Sequence, residues 1–237
     1  MPSCAAYDPC FGYELAAILQ DGLRRMLESQ DDVFYYITVM NENYVHPTMP
    51  EGVRDGILRG LYRLREVAGS GNAPRVQLLG AGALLREALA ASEVLERDWG
   101  VAAEVWSVTS FTELRRDGLN VERHHRWHPD AAPIPSWVEQ CLGPTIGPIV
   151  AVSDYLRAVP DLIRTWVPRR YVTLGTDGYG RSDTRAALRR FFEVDRHHIA
   201  IAALQALADE GALDSSRVTQ AIARYGIDPN QPNPWDG

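Results

Sequence analysis

Cysteine is scarce in this 237-residue chain, which holds only Cys4, Cys10 and Cys141. An odd, widely spaced set without a CxxC pair excludes a disulfide framework and a zinc site. It fits the reduced thiols of a cytoplasmic protein. Positive charge is also in short supply. A formal net charge of -7 argues against nucleic-acid binding, which needs a basic face. No apolar run approaches bilayer-spanning length, so no membrane association is expected. The opening residues Met1-Pro2-Ser3-Cys4 have no basic n-region and no apolar h-region, so no signal peptide is expected. Internal repeats and low-complexity tracts are missing, as are the P-loop, HExxH, GxSxG and EF-hand patterns.

What remains is a chain of ordinary globular composition, 46% hydrophobic and 23% charged, long enough for a real core. Its organising stretch is Phe34 to Tyr44. Aromatic and β-branched residues over 33–40 predict a buried strand. The polar run Asn41-Glu42-Asn43-Tyr44 follows at once, then His46 and Pro47. An open α/β sheet presents a site in this way, with polar side chains at the carboxyl end of a strand. Leu15, Ile18, Leu19, Leu23 and Met26 recur at helical spacing and predict a helix over 12–28. One helix and one strand cannot bury themselves, so this opening piece needs a sheet to join.

Beyond it, a helix is expected over 51–65, with Gly52, Gly56 and Gly60 as a close packing face. Small and polar residues from Gly69 to Pro74 mark a linker. Strands are then expected at Val76–Leu79, Ala103–Val108, Ile149–Val152 and Tyr171–Leu174. Helices are expected at Leu84–Arg97, Phe111–Arg126 and Tyr155–Trp166, then over 184–191, 196–211 and 214–225. Strands alternating with helices mean an α/β layer architecture. Gly211 suits a helix end, Asp214 an N-cap of the last helix, and Ser182 or Asp183 a cap of the helix over 184–191.

Several groups could carry chemistry. Gly80-Ala81-Gly82 follows a strand and opens a helix, but Leu85 stands where a dinucleotide fingerprint needs its third glycine. A tight turn is the better reading. His124, His125 and His128 lack acidic or cysteine neighbours at ligand spacing, so they read as a solvated or interface face and no metal site is expected. The loop Gly175 to Asp183 reads either as a turn held by Asp177 and Asp183 or as a subunit contact. Glu42 and His46 are the sharpest pair, able in principle to act as acid, base or substrate anchor. On residues alone, a hydrogen-bonded loop with a solvated His46 is favoured over catalysis, because nothing else converges on the pair.

Longer words in the sequence go further. They are Tyr7-Asp8-Pro9, Gly12-Tyr13-Glu14-Leu15, Tyr36-Ile37-Thr38 running into Asn41-Glu42-Asn43-Tyr44, and Met49-Pro50-Glu51-Gly52. Ser107 to Leu114 with Arg116-Asp117-Gly118 follows, then Gly175 to Gly178 through Arg181-Ser182-Asp183. In this order and spacing they resemble the homodimeric, bacterial-type E1 component of the pyruvate dehydrogenase complex, over about the last quarter of that family's chain. The resemblance implies an α/β fold with a transketolase C-terminal-domain-like mixed sheet flanked by helices. The last helix and strand of a pyrimidine-binding domain would precede it. Residues 1–45 would be the remnant of that middle domain, 46–74 a linker with one helix, and 75–237 the C-terminal domain.

The family depends on thiamine diphosphate and Mg²⁺. By the resemblance, the full-length enzyme decarboxylates pyruvate through the cofactor's ylid and passes the acetyl group to the lipoyl group of the E2 dihydrolipoyl acyltransferase. The family's diphosphate motif, GDG followed by Asn, has no counterpart here, since Thr176 precedes Asp177-Gly178. The activating glutamate belongs upstream. No cofactor binding and no activity are therefore expected of this chain alone. Partners implied are the missing E1 domains or a second E1 subunit, and E2. Glu42 and His46 are the substrate-channel candidates. Glu42 matches without a shift, whereas Val45 holds the place of a histidine found in some members and His46 follows it. One step along extended backbone turns a side chain to the other face. The rival expectation is a non-catalytic assembly or dimerisation module, or a gene relic. A strand stripped of sheet neighbours also predicts that the isolated chain oligomerises or needs a partner.

Overall fold

A computed structural model describes residues 2–67 and 71–236. The predicted linker from Gly69 to Pro74 lies partly outside them. Two sheets form. The larger has five strands in the order β3-β5-β4-β6-β7: β3 Leu61–Arg65, β4 Arg75–Ala81, β5 Ala102–Val108, β6 Ile149–Val152 and β7 Tyr171–Leu174. β3 runs antiparallel to β5 and the remaining pairs are parallel. All residues of β5 are buried, as is β4 after its first residue. Helices on both faces require this, and it explains their near-continuous apolar runs.

On one face lie α3 Leu85–Trp99, α7 Arg196–Asp209 and α8 Ser216–Arg224. Leu85, Leu95, Ile199 and Leu204 meet Val76, Leu78, Val105 and Val150 there. Each such fully buried side chain contributes roughly 1.5–3 kcal/mol of transfer free energy. The other face carries α4 Phe111–Trp127, α5 Trp137–Leu142 and a 3₁₀ turn Pro160–Trp166, packed on Leu61, Leu79, Trp106 and Ile149.

The smaller sheet pairs β1 Cys4–Tyr7 in parallel with β2 Phe34–Ile37 through α1 Gly12–Leu23, which runs on into a π-helical turn Arg24–Glu28. The opening strand therefore does not stand alone. Cys4-Ala5-Ala6-Tyr7 carries too little β-branched or aromatic character to announce itself. The expectation of a buried strand at 33–40 also fails. β2 has four residues, and Phe34 and Tyr36 are exposed, with Tyr36 at 60%.

The small sheet is fastened to the large one by buried polar groups. Glu14 is fully buried. One of its oxygens accepts from the backbone N–H of Cys10 at 2.6 Å and of Phe11 at 2.8 Å. The other accepts from the hydroxyls of Tyr62 at 2.7 Å and Ser107 at 2.6 Å. One carboxylate thus caps α1 and ties it to β3 and β5. Ser110 donates to the Ala6 carbonyl at 2.6 Å and Arg116 to the Cys4 carbonyl at 2.8 Å.

Three further expectations are corrected. The helix over 51–65 is only α2 Arg54–Arg59. Gly60, at φ 102°, ends it in the left-handed region and the chain turns into β3. Gly56 and Gly60 are both close packing contacts, where an added Cβ would lie 2.7 Å from the Tyr62 Cβ and 2.5 Å from the Ser110 carbonyl oxygen; Gly52, at φ 75°, is a turn residue. The helix over 155–166 is the shorter 3₁₀ turn beginning at Pro160, which supplies no N–H to an earlier turn. Thr184, rather than Ser182 or Asp183, caps α6 Arg185–Phe191.

Candidate functional site

The site begins where β2 ends. From Thr38 the chain loses its sheet partner and passes over the carboxyl ends of β4 and β6. Thr38, Val39 and Met40 line a cleft of about 200 Å³ with Gly82, Ser153 and Tyr155. Asp8 organises this junction. Its Oδ1 accepts from the Thr38 hydroxyl and from the Tyr155 hydroxyl, each at 2.8 Å. Its N–H donates to the Thr109 carbonyl at 2.7 Å, and its carbonyl accepts from the Gly82 N–H at 3.1 Å. Strand ends of both sheets thereby meet at one aspartate. Asp154 sits in the same cleft, its carboxyl pushed up by burial against the opposing pull of Arg189.

Glu42 lies further along the segment, three-quarters buried. It accepts from Arg86 Nη1 at 2.8 Å, with Arg185 at 3.7 Å and Arg189 at 3.6 Å. The hydrogen bond from Arg86 chiefly holds this carboxyl below its ordinary range, with the charges of all three arginines adding and burial opposing. A carboxylate so held stays ionised at neutral pH. It serves as a fixed anion and not as a proton donor. The Arg86 guanidinium also lies 4.4 Å over the ring of Tyr44, whose hydroxyl donates to the Cys10 carbonyl.

His46 is exposed. Its Nδ1 accepts from the Gly12 N–H at 2.9 Å, which leaves Nε2 as the nitrogen that faces outward. Its ring lies 4.6 Å from that of Tyr44, tilted by 32°. Glu42 and His46 do share a recess of about 110 Å³, with Tyr44, Cys10 and Met40 in its wall. The structure therefore brings the pair into one recess, yet each already has protein partners. Cys10 adds no nucleophile, because burial, reinforced by Glu14, pushes its thiol up to about 12.

The other sequence candidates take structural places. Gly80 lies in β4 against α3, where an added Cβ would come within 2.6 Å of the Leu85 Cα; Gly82, at φ 49°, makes the tight turn. The rings of His124 and His128 stack at 4.4 Å, and His125 Nε2 accepts from the Ile134 N–H at 3.0 Å. In the loop after β7, Asp177 accepts from Arg157 Nε at 2.6 Å. Gly178 packs under the chain's tail at Pro234. Asp177 and Gly178 are thus braced within the chain, while Tyr179 of the same loop is exposed.

Sequence reasoning misses Asp8, Glu14 and the three arginines around Glu42 as site residues. Asp8 and Glu14 stand inside the words Tyr-Asp-Pro and Gly-Tyr-Glu-Leu. A carboxylate within an otherwise apolar helical stretch is the available signal for Glu14. The arginines lie up to 147 residues from Glu42 and carry no signal.

Known proteins match the chain along nearly its whole length. Residues 60–195 match the family model of the transketolase-like TK C-terminal domain. Residues 1–47 match that of the pyruvate dehydrogenase E1 component middle domain. The pyruvate dehydrogenase E1 component of Cupriavidus necator is 55% identical over 99% of the chain, and that of Pseudomonas aeruginosa 54% over 100%. The chain spans only 26% and 27% of those two proteins, about a quarter of their length. Transketolase from Leishmania mexicana superposes with a TM-score of 0.59 at 14% identity, over 98% of the chain and 27% of that protein.

Proposed function

The chain belongs to the family of transketolase-like C-terminal domains, and from that membership we propose that it acts as the carboxyl-terminal part of a pyruvate dehydrogenase E1 enzyme. One observation carries the reading. Identity of 55% is reached over 234 residues, 99% of the chain, a span that takes in both matched regions. The division into a middle-domain remnant over 1–45, a linker over 46–74 and a C-terminal domain over 75–237 belongs to the same proposal, with β3 of the linker built into the larger sheet.

In this reading the substrate is pyruvate, and the acetyl group goes to a lipoyl group on E2. The residues present do not fit thiamine diphosphate with Mg²⁺. Asp177, the one aspartate in a partial motif, is already bound by Arg157 at 2.6 Å. A cation would have to displace that guanidinium. No step through the cofactor is assigned to this chain. Its own part is to present the Asn41–His46 segment. Arg86, Arg185 and Arg189 fix Glu42 as an anion facing the substrate channel, and His46 offers Nε2 at the rim. Both act as positioning groups.

The test is reconstitution. The purified chain is mixed with a polypeptide carrying the E1 N-terminal and pyrimidine-binding domains, thiamine diphosphate and Mg²⁺, and pyruvate decarboxylation is followed. Activity is expected in the mixture and not from the chain alone. Decarboxylation by the chain alone would overturn this assignment, as would an inert mixture in which the two polypeptides bind each other.

A further inference from the structure

Glu104, on β5, keeps only 9% of its side chain exposed. Buried carboxylates are normally hydrogen-bonded, and the Glu104 oxygens are not enclosed but open onto a cleft. Glu104 accepts no hydrogen bond among the described residues. Its oxygens stand 3.8 Å from Arg75 Nη1 and 4.0 Å from Arg63 Nη1, beyond hydrogen-bond reach. Arg63 is drawn to Glu66 at 3.3 Å. Arg75, the first residue of β4, donates no side-chain hydrogen bond among the described residues. An open acceptor and an open guanidinium fork thus stand side by side.

Both line a cleft of about 630 Å³ at the amino ends of the parallel strands, the opposite end of the sheet from the Asn41–His46 segment. This volume is typical of small-ligand sites. Trp137 and Ile146 supply the accessible apolar surface, with Tyr62 and Trp106, 4% and 5% exposed, buried beneath it. The indole N–H of Trp106 is taken by Gln77 at 2.8 Å and that of Trp137 by the Leu61 carbonyl at 2.9 Å. Of the two, only Trp137 leaves ring carbons for an occupant, with the Arg59 guanidinium 3.9 Å over its ring.

We propose that this cleft binds a free α-amino acid with a large apolar side chain. The ammonium nitrogen and a carboxylate oxygen of such a molecule lie roughly 3 Å apart by standard covalent dimensions. That spacing is close to the 3.8 Å that separates Glu104 from Arg75. Laid head to tail on the pair, the zwitterion gives Glu104 its missing donor and Arg75 its missing acceptor. No net charge is added to the pair, and the side chain runs onto Trp137 and Ile146. Glu51, Asp55 and Glu66 add negative charge to the lining, which disfavours a simple anion, while a simple cation leaves Arg75 without an acceptor.

Isothermal titration of the whole chain with L-phenylalanine and L-leucine tests the proposal. Saturable binding is expected below about 10 mM, a range that covers a millimolar Kd. N-acetyl-L-phenylalanine lacks the ammonium charge and L-phenylalaninamide lacks the carboxylate; each is expected to bind at least tenfold more weakly. Glu104→Gln and Arg75→Gln are expected to weaken L-phenylalanine to the same extent. Absence of saturation by both amino acids overturns the proposal, as does equal binding of L-phenylalanine and the two single-charge analogues. If either variant fails to fold, the wild-type titrations with the analogues decide between these outcomes by themselves.

Discussion

Replacing Glu14 by alanine is the most demanding test of how the two sheets are joined. The substitution removes one buried carboxylate and strands four donors at once: the N–H groups of Cys10 and Phe11 and the hydroxyls of Tyr62 and Ser107. Each stranded buried donor costs about 1–3 kcal/mol. Their plain sum overstates the effect, since side chains relax and the buried charge already carried a desolvation penalty of several kcal/mol. A net loss of about 3–5 kcal/mol is the expected outcome. At roughly 2–4 °C per kcal/mol for a chain of this size, the melting temperature falls by about 6–20 °C. Glu14→Gln keeps the shape but turns an amide N–H₂ toward donors, for a loss of about 2 kcal/mol. Glu113→Gln is the contrasting case. Burial pushes the Glu113 carboxyl up, and its Oε1 lies 3.4 Å from Arg116 without hydrogen-bond geometry. Neutralising it changes stability by less than about 1 kcal/mol, because its partner Arg116 is 36% exposed and exposed pairs contribute little. Urea unfolding followed by circular dichroism reads all three, and proteolysis within 4–37 shows whether the small sheet loosens first. A Glu14→Ala protein within about 1 kcal/mol of wild type would refute the idea that this carboxylate holds the sheets together.

Asp195 caps α7 through the N–H groups of His197 and His198 and contacts the His198 ring at 2.8 Å. Burial pulls its carboxyl upward, but the His198 contacts outweigh this and hold it below the ordinary range. The unfolded chain therefore binds the proton more readily, so stability is present above about pH 4 and falls as pH drops toward the folded value. Asp195→Asn should flatten that acid limb in pH-dependent melting and cost about 1 kcal/mol at neutral pH. Glu42→Gln should raise hydrogen exchange over 38–46 while lowering global stability by less than about 1 kcal/mol, because its arginines are partly exposed; unchanged exchange would count against the pinning role. At Gly147, φ is 83° and an added Cβ would lie 1.8 Å from the Arg75 carbonyl oxygen, so Gly147→Ala should cost about 3 kcal/mol or more by denaturant midpoint. Leu23, Leu27 and Tyr36 are 54%, 70% and 60% exposed, and the isolated chain is expected to self-associate in sedimentation runs; a clean monomer would contradict this.

The large sheet is legible where the sequence speaks in a single period. Ile149–Val152 and Tyr171–Leu174 are short apolar runs bounded by turn residues, and both strands fall at the expected residues. Leu61-Tyr62-Arg63-Leu64-Arg65 misleads for a physical reason. Ile57, Leu58, Leu61 and Leu64 continue a helical spacing, and only the left-handed turn at Gly60 breaks it. Trp137–Leu142 escapes notice because six residues carry too little periodicity to register. At the site, Glu42 can be found from its place after a strand. That it is pinned cannot, because Arg86, Arg185 and Arg189 come from helices built much later in the chain.

Glu14 also sets a timetable for synthesis. Its side chain closes locally on Cys10 and Phe11 as soon as α1 forms, but Tyr62 follows 48 residues later and Ser107 93 residues later. At a translation rate of about 5–20 residues per second, the second hydroxyl reaches it roughly 5–20 s after α1 is made. For that interval a charged carboxylate stands half-satisfied on the inner side of the helix and must remain hydrated. The β1–α1–β2 unit can complete its docking on the large sheet only when the strand carrying Ser107 has emerged from the ribosome.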